Sequence, residues 1–284
     1  MRKRLRRLWF VLPLILLIGV FVWMLWTNQA LELNTYTISS DRLPESFDGF
    51  RIAQISDLHN AQMGADNEKL LQLLRQAQPD MIAITGDLVD SRKTDTEVAL
   101  AFVTEAVKIA PCYYVPGNHE ARLTEYGALR QALEELGVSV LENTGISFEK
   151  DGASIYLAGV LDPAFRADDQ TPDEAVIIAD QLQDMALDRD DFILLLSHRP
   201  ELLEIYAQHG ADLVLSGHVH GGQFRLPGLG GLFAPSQGFF PEYDAGLYTD
   251  GATTMLVSRG IGNSLFPLRF NNPPEVLLIT LKSA

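Results

Sequence analysis

Cysteine is nearly absent from this sequence, and so are basic residues beyond its first few positions. Cys112 is the single cysteine among 284 residues, so an internal disulfide is excluded. Five of the 22 basic residues stand in the first seven positions, which leaves 17 basic against 37 acidic residues in the remainder, a balance of −20. Nucleic-acid backbones require a basic surface, so this composition argues against a nucleic-acid partner. An anionic substrate would need bound cations such as metal ions.

Charge is also absent from a long stretch near the N-terminus. Leu8 to Trp26 is an uncharged run of nineteen residues, about the length that crosses a bilayer as a helix. With the basic tip held in the cytoplasm, the run predicts a single-pass anchor in the cell membrane and an extracytoplasmic remainder. A cleaved signal peptide is the alternative, but the run is long and a good cleavage site is missing. The predicted division is an anchor at 1–30 and one domain at 31–284.

The spacing of apolar residues predicts an α/β fold. Three strands alternate with three helices in the first half, at residues 50–55, 66–76, 81–84, 95–109, 112–115 and 123–136. Short strands joined by turns follow, and buried strands then recur around a helix at 173–187. The simplest architecture is two sheets packed face to face with helices outside.

Side chains with metal-binding chemistry cluster directly after the predicted strands. Five of the six histidines stand there, in Asp57-x-His59, Asn118-His119, Ser197-His198 and Gly217-His218-Val219-His220. The strand at 81–84 leads in the same way to Gly86-Asp87, at the strand end where open α/β sheets bind ligands. The sixth histidine, His209, follows a predicted helix and is expected to cap it.

The spacing of these side chains is typical of metal ligation. In an extended segment residues i and i+2 face the same side, so Asp57 and His59 are expected to hold one ion together. His218 and His220 are expected to do the same or to face two neighbouring ions. Carboxylate and imidazole ligands suit zinc, manganese or iron, and the lack of thiolates argues against structural zinc. Two carboxylates, four histidines and an amide exceed one tetrahedral ion and indicate a two-metal centre for displacement at phosphorus.

Taken in order, these motifs resemble those of the calcineurin-like metallophosphoesterase superfamily. The matching segments are Asp57-x-His59, Gly86-Asp87, Gly117-Asn118-His119-Glu120, His198 and Gly217-His218-x-His220. The apolar N-terminus and the run at 258–262 also resemble its bacterial membrane-associated, YkuE/YaeI-like branch. The resemblance implies a four-layer α/β/β/α sandwich of two mixed sheets at 31–284, preceded by one transmembrane helix.

The resemblance also implies a role for each matching residue. Two divalent or mixed-valence ions (Mn, Fe or Zn) are expected, the first held by Asp57, His59 and His220, the second by Asn118, His198 and His218, and both by Asp87. A metal-bridging hydroxide would attack phosphorus in line. His119 would stabilise charge or protonate the leaving oxygen, and Asp90 would orient His119 and raise its pKa. Alternatively, Asp90 is a turn residue before the next helix.

The function expected from these features is hydrolysis of a phosphodiester or pyrophosphate by a membrane-anchored enzyme. Because the site would face outward, away from cytosolic nucleotide-sugar pools, an envelope or lipid-linked substrate is favoured. A broad-specificity phosphomonoesterase and a catalytically silent metal-binding scaffold are the alternatives. The aromatic segment 224–248 is either an apolar lip for lipid or the packing of a loop-rich flank. Arg166, Arg225 and Arg259 are candidate phosphate contacts, and the oligomeric state is left open.

Overall fold

A computed structural model describes residues 2–166, 173–187, 190–263 and 266–284, with side chains from residue 12 onward. The helices are α1 (Arg2–Thr27), α2 (Glu68–Ala77), α3 (Thr96–Ala106), α4 (Tyr126–Glu135), α5 (Glu174–Met185) and α6 (Leu203–Gln208). The strands are β1 (Glu32–Ser40), β2 (Arg51–Ile55), β3 (Met81–Thr85), β4 (Cys112–Val115), β5 (Ser139–Val140), β6 (Thr144–Lys150), β7 (Ala153–Gly159), β8 (Ile193–Leu196), β9 (Leu213–Ser216), β10 (Arg225–Leu226), β11 (Gly230–Gly231), β12 (Phe233–Ala234), β13 (Gly238–Phe239), β14 (Gly246–Asp250), β15 (Thr253–Val257) and β16 (Glu275–Ser283).

In the described part of the chain these strands form two six-stranded sheets and two short hairpins. The first sheet has the order β1-β16-β2-β3-β4-β5, and the second has the order β14-β15-β9-β8-β7-β6. Strands β2 to β5 run parallel, as do β7, β8, β9 and β15, whereas β16 against β2 and the edge strands β6 and β14 are antiparallel. Both sheets are therefore mixed, as predicted.

Alternation of side chains along each strand divides the core into three apolar clusters. In β3, Ile82 and Ile84 pack with α2, α3 and α4, while Met81 and Ala83 pack between the two sheets. In the second sheet, Val214 belongs to a third cluster that includes residues of α5 and α6. Because strand side chains alternate between faces, a fully apolar strand fits only between two covering layers. The result is the predicted layer order of helices, sheet, sheet and helices.

The first helix, α1, covers the predicted membrane anchor. Its described side chains are largely exposed, including Leu12 at 60% and Trp26 at 57%. Among the helices of the described residues, none has the length and apolarity needed to cross a membrane. The predicted anchor begins at Leu8, whose side chain lies outside the described part, and the anchor stays a prediction.

Candidate metal centre

The motifs meet where the C-terminal ends of parallel strands from both sheets come together. In the layer below the motifs, Gln54 Nε2 donates hydrogen bonds to Thr85 Oγ1 (3.0 Å) and to the Ser216 carbonyl (2.9 Å), which ties β2, β3 and β9 together. His198 Nδ1 lies 2.7 Å from the Thr85 carbonyl oxygen. A carbonyl only accepts, so Nδ1 carries a hydrogen, and in the neutral ring the lone pair stays on His198 Nε2.

Asp57, His59 and His220 form the first group of metal-binding atoms. Their candidate ligand atoms all lie within 4.8 Å of one another. His59 Nε2 is 3.1 Å from His220 Nε2, and His220 Nε2 is 3.3 Å from Asp57 Oδ1. This is the set of residues predicted for the first ion.

Asp87, His198 and His218 form the second group, again with ligand atoms within 4.8 Å of one another. His198 Nε2 lies 3.3 Å from Asp87 Oδ2 and 3.2 Å from His218 Nδ1. The same Asp87 Oδ2 is 3.4 Å from His59 Nε2 in the first group. Asp87 therefore lies between the two groups, and His218 and His220 belong to different groups.

The donor set fits divalent metal ions. Asn118 Oδ1 is buried without a hydrogen-bond partner among the described residues, and Asn118 lines the same cleft as Asp87 and His218. An amide oxygen, carboxylates and imidazoles that converge in a buried site are ligands that zinc, manganese and iron accept. The assignment of each ligand to a particular ion stays a prediction.

The charges and the burial of the site favour, for several of these groups, the protonation state that binds metal ions. Burial raises the pKa of the Asp87 carboxyl, but His198 and His59 outweigh it and hold that pKa well below its usual range. Burial lowers the pKa of His220 to about 3 and the pKa of His218 well below its usual value. Burial also opposes the charged form of His198, yet Asp87 raises the pKa of His198 to about 10. Charged carboxylates and neutral imidazoles are the forms that bind metal ions. His198 would have to lose a proton to bind one, and the positive charge of a metal ion nearby would favour that loss.

The ligand-bearing turns are not extended, which corrects one assumption made from the sequence. The φ angles are positive at Asp57 (51°), His59 (44°), Asp87 (54°), His218 (73°) and His220 (48°). Left-handed conformations cost free energy in residues other than glycine and are concentrated at functional sites. The prediction that extended i, i+2 spacing places Asp57 beside His59 is therefore wrong. The two side chains meet in a turn after β2 in which both residues have left-handed backbone conformations.

Position 86 requires glycine for two reasons: its backbone conformation and the closeness of neighbouring atoms. Its φ is +90°, and a Cβ at this position would lie 2.5 Å from His198 Nδ1 and 2.9 Å from the Gly117 backbone. The turn that presents Asp87 therefore passes against a predicted ligand and against the turn after β4. A side chain at position 86 would separate these segments.

Glu120 holds the turn that carries Asp87, a role that sequence analysis missed. Its buried Oε2 accepts hydrogen bonds from the backbone N–H groups of Asp87 (2.8 Å) and Gly117 (2.8 Å), and its Oε1 accepts from Val89 N–H (3.0 Å). One carboxylate thus satisfies three buried donors from two loops. Its place in the Asn-His-Glu motif was the available signal, but spacing alone does not show that it binds backbone.

We expect Glu120→Gln to destabilise the fold by about 1–3 kcal/mol, because the amide N–H₂ would face a backbone donor and leave it unsatisfied. Metal affinity should fall with it, since the Asp87 turn loses its support. Denaturant unfolding and metal titration measure the two effects. Glu135→Gln, at an exposed position of α4, is the control and should change neither. Unchanged stability in Glu120→Gln would show that the three hydrogen bonds are dispensable.

His119 lies beside the two groups and has a defined hydrogen-bonding state. Its backbone N–H donates to Asp87 Oδ1 (2.8 Å), and its Nδ1 accepts from the backbone N–H of Ser91 (3.1 Å). An N–H group only donates, so the neutral ring carries its hydrogen on Nε2. His119 is 7% exposed and lines the cleft, so this Nε2–H is available as a donor there.

Asp90 lies near His119 but is bound mainly to Arg92. Its Oδ1 is 3.4 Å from His119 Nδ1, while Arg92 donates to both carboxylate oxygens, at 2.9 and 2.7 Å. Asp90 Oδ1 also accepts the Arg92 backbone N–H, which is the turn role considered as the alternative. Burial lowers the pKa of His119 on balance, although Asp87 and Asp90 both raise it, and for Asp90 this is the predicted direction.

We expect Asp90→Asn to lower kcat by about 10- to 100-fold, the usual cost of losing a partner of an active-site side chain, while metal content stays unchanged. The reason is that Asn keeps the turn but loses the ion pair with Arg92, which lines the cleft and lies in the same loop as Ser91, the residue that fixes the ring of His119. Steady-state kinetics and metal analysis of the same sample measure this. Asp151→Asn, in an exposed turn, is the control. Loss of metal would instead make Asp90 a ligand, since His59, Asp90 and His119 are also close enough to bind an ion.

Three arginines line the cleft of about 450 Å³ above these groups, and sequence analysis identified none of them: Arg92, Arg122 and Arg199. Arg199 is 4% exposed and donates to both oxygens of Asp162, at 2.5 and 2.9 Å. Its Nη1 donates to Ser236 Oγ at 2.9 Å. Its position directly after His198 was a usable signal.

The three arginines that the sequence suggested have other surroundings. Arg225 pairs with Asp244 at 3.0 Å, and Arg259 pairs with Glu275 at 2.7 Å. Arg166 lies on the surface after a short turn. The described residues that line the cleft do not include these three.

One part of the aromatic segment 224–248 is exposed beside the cleft, and another part packs against the core. Phe233 and Phe239 meet edge to face on the β12–β13 hairpin, with ring centroids 5.3 Å apart, and are 49% and 71% exposed. The turn of this hairpin contributes Pro235 and Ser236 to the cleft. Tyr248, in contrast, packs against the third apolar cluster. The hairpin therefore presents an apolar surface next to the cleft, while the end of the segment packs.

Comparison with known proteins agrees with this geometry. Residues 50–222, more than half of the chain, match the family described as calcineurin-like phosphoesterase. The chain therefore belongs to the calcineurin-like metallophosphoesterase family, as its motifs predicted. Membership implies a metal-dependent hydrolase of phosphoric esters.

Individual relatives cover most of the chain. It is 30% identical over 260 residues to the uncharacterized metallophosphoesterase YkuE of Bacillus subtilis, covering 89% of this chain and 86% of YkuE. It is 30% identical over 244 residues to the phosphodiesterase YaeI of Escherichia coli, covering 82% of each. A Danio rerio protein named transmembrane protein with metallophosphoesterase domain is 29% identical over 87% of this chain and 56% of its own length. The structure of TT1561 from Thermus thermophilus, at 18% identity and TM-score 0.52 over 75% of this chain and 90% of its own, shares the fold.

Proposed function

We propose that this protein hydrolyses phosphodiester or pyrophosphate bonds by in-line displacement with two divalent or mixed-valence ions. The observation that carries the proposal is Asp87, whose Oδ2 lies 3.3 Å from His198 Nε2 and 3.4 Å from His59 Nε2, between the two ligand groups. A shared carboxylate is what a two-ion centre for displacement at phosphorus requires. When bound, the ions would activate a water molecule and polarise the phosphoryl group.

Each residue of the site has a place in this proposal. Asp57, His59 and His220 hold one ion, Asn118, His198 and His218 hold the other, and Asp87 contributes to both. His119 donates its Nε2–H to a phosphoryl oxygen or to the leaving oxygen. Ser91 supports that role because its N–H fixes the ring tautomer, and Asp90 acts through Arg92 and the same loop as a positioning residue.

The charge balance of the cleft favours a diester over a monoester. Arg199 is paired with Asp162, and Arg92 is paired with Asp90, so carboxylates already compensate both guanidinium groups. A diester carries one negative charge and a monoester carries up to two, which makes the diester the better match. The name of the relative YaeI, a phosphodiesterase, points in the same direction. A broad phosphomonoesterase is the second candidate, supported by the additional guanidinium of Arg122 at the cleft.

We extend the proposal to the membrane, with α1 as a single-pass anchor, the domain at 31–284 outside the cytoplasm and an envelope or lipid-linked substrate. Support comes from the exposed apolar side chains of α1 and from the name of the Danio rerio relative. The end of α1 also lies close to the metal-binding loops: Asn263 Nδ2 donates to Asn28 Oδ1 at 2.9 Å, and the neighbouring Gly262 carbonyl is 3.3 Å from His220 Nδ1. The chain should stay with membranes after alkaline carbonate extraction and be released when residues 1–30 are removed.

The test of the reaction uses the full chain in detergent, loaded with manganese, iron or zinc. Methyl p-nitrophenyl phosphate serves as diester and p-nitrophenyl phosphate as monoester. We expect kcat/KM for the diester to exceed that for the monoester by about tenfold, corresponding to about 1.4 kcal/mol of transition-state preference. The reverse preference would identify a phosphomonoesterase. Two bound ions with no hydrolysis of either ester would identify a catalytically silent scaffold.

A further inference from the structure

A groove of about 700 Å³ adjoins the cleft on the side of His119. The groove lies between the loop and first turns of α3 and the segment that leads into α4. Arg122 lines both the groove and the cleft. Ser91 lines the groove, and its backbone N–H and its Oγ both lie 3.1 Å from His119 Nδ1. The groove therefore lies behind the Nδ1 side of His119, and Arg122 connects it with the cleft that His119 lines.

The groove wall combines hydroxyl groups, carboxylates and aliphatic side chains. Its polar side chains include Thr94, Thr96, Thr124, Asp95, Glu97 and Glu125. Between them, Leu123 and Ala128 present aliphatic surface. Hydroxyls both donate and accept hydrogen bonds and carboxylates accept them, so the wall is suited to a ligand with several hydroxyl groups on a carbon skeleton.

We propose that this groove binds the leaving alcohol of the reaction and selects an uncharged, hydroxyl-rich alcohol such as a glyceryl or glycosyl group. The inference rests on the proposed function and names its substrate class. In the displacement, water adds its oxygen to phosphorus and the bond from phosphorus to the alcohol oxygen breaks. The water loses one proton as it attacks, and the leaving oxygen accepts a hydrogen bond from His119 Nε2–H and takes up one proton from solvent, so the products are an alcohol and a phosphate monoester. The leaving oxygen lies in the cleft beside His119, and Arg122 lines both cavities, so the rest of the alcohol extends past Arg122 into the groove.

The charges of the groove favour an uncharged alcohol over an anionic alcohol and over a cationic one. Three carboxylates and one guanidinium, that of Arg122, line the groove, so a leaving group that carries further phosphates would be repelled. Quaternary ammonium groups are typically held against aromatic faces, whereas the apolar part of this wall is aliphatic. The Arg122 guanidinium at the junction with the cleft also opposes a cation next to the scissile bond. A neutral polyol is repelled neither by the three carboxylates nor by the Arg122 guanidinium.

The experiment compares three diesters of methyl phosphate with the full-length, metal-loaded protein: the glyceryl, n-propyl and 2-aminoethyl esters. Release of methyl phosphate is followed by ³¹P NMR. We expect kcat/KM for the glyceryl ester to exceed that for the propyl ester by about tenfold, the effect of one or two hydrogen bonds to the hydroxyls. Ala128→Trp, which fills the groove from an exposed helix position, should reduce this ratio to about two or less. Thr124→Val, which removes one hydroxyl with little change in shape, should reduce it severalfold.

The matched control is Ala252→Trp, at an exposed alanine in a separate cavity of about 420 Å³ between α6 and the β14–β15 turn. It should preserve the ratio. Equal rates for the glyceryl and propyl esters, a preference for the 2-aminoethyl ester, or a ratio unaffected by both groove variants would overturn the proposal. Methyl p-nitrophenyl phosphate separates the two levels: if the wild type cleaves it but shows no glyceryl preference, only the groove assignment fails. If the wild type cleaves no diester, the proposed function fails.

Discussion

Asp87→Asn is expected to remove metal from both ligand groups and to lower kcat by about a thousandfold. The amide supplies no charge, and the Asp87 carboxylate is the group that approaches both His59 and His198. Each bound ion supplies several kcal/mol of transition-state stabilisation, and about 4 kcal/mol corresponds to a thousandfold change in rate. The fold should persist, because Asn retains an oxygen to accept the His119 backbone N–H. Metal analysis and kinetics of the purified variant measure the result.

The matched control for Asp87→Asn is Asp212→Asn. Asp212 is also buried, at 8% exposure, and accepts hydrogen bonds from Arg42 and from the Ile193 backbone. It lies at the opposite ends of β8 and β9 from His198 and His218. Metal content and kcat should match those of the wild type, even if stability falls. Normal metal content and normal kcat in Asp87→Asn would remove the basis for a shared carboxylate.

His119→Ala is the other substitution with a large expected effect: a fall in kcat of about 10²- to 10⁴-fold with both ions retained, the usual contribution of a positioned proton donor. The substitution removes the Nε2–H that Ser91 stabilises, but it keeps the backbone N–H that binds Asp87. Because Asn118 is the adjacent residue, metal content must be measured on the same sample. KM should change less than kcat, since the donor acts mainly in the transition state.

His209→Ala is the control for His119→Ala. His209 Nδ1 lies 2.8 Å from the Ile205 carbonyl oxygen at the end of α6, which confirms the helix-capping role predicted for it. Its removal should cost some stability and leave kcat unchanged. An unchanged kcat in His119→Ala would exclude proton donation by this ring. Loss of one ion would instead assign His119 to the ligand set.

The position of the site was predictable because chemistry-bearing residues follow successive strands. The carboxyl ends of parallel strands share an edge, so Asp57, Asp87 and Asn118 had to lie together once β2, β3 and β4 were paired. The same holds for His198 and His218 after β8 and β9. In the structure Asp87, Asn118 and His218 line one cleft. Six predicted ligands form two groups of closely spaced candidate ligand atoms, while the assignment of each ligand to an ion stays a prediction.

The remaining features depend on contacts between residues far apart in the sequence, and the spacing of residue types does not show such contacts. Glu120 binds backbone N–H groups of two separate loops, and Arg199 binds Asp162, 37 positions away. Strand β1 extends over Glu32–Ser40 because it pairs in parallel with β16 from the other end of the chain. The left-handed turns that aim the ligands are held by this tertiary packing. Local propensity disfavours them.

The two proposals describe complementary sides of one substrate. The exposed Phe233 and Phe239 lie on the hairpin whose turn reaches the cleft, whereas the polar groove opens from the cleft beside Ser91. An amphiphile with an apolar part toward the hairpin and a hydroxyl-rich alcohol in the groove would use both surfaces. The glyceryl and propyl diesters test the groove side independently of any lipid.

The central claim is a two-ion centre joined by Asp87, and the electron paramagnetic resonance spectrum of the manganese-loaded protein tests it most directly. Ions about 3.5–4 Å apart with a shared carboxylate are magnetically coupled. We expect two manganese ions per chain and an exchange-coupled spectrum. Both should be lost in Asp87→Asn and kept in Asp212→Asn. A single ion per chain, or two ions with the spectrum of isolated manganese, would contradict it.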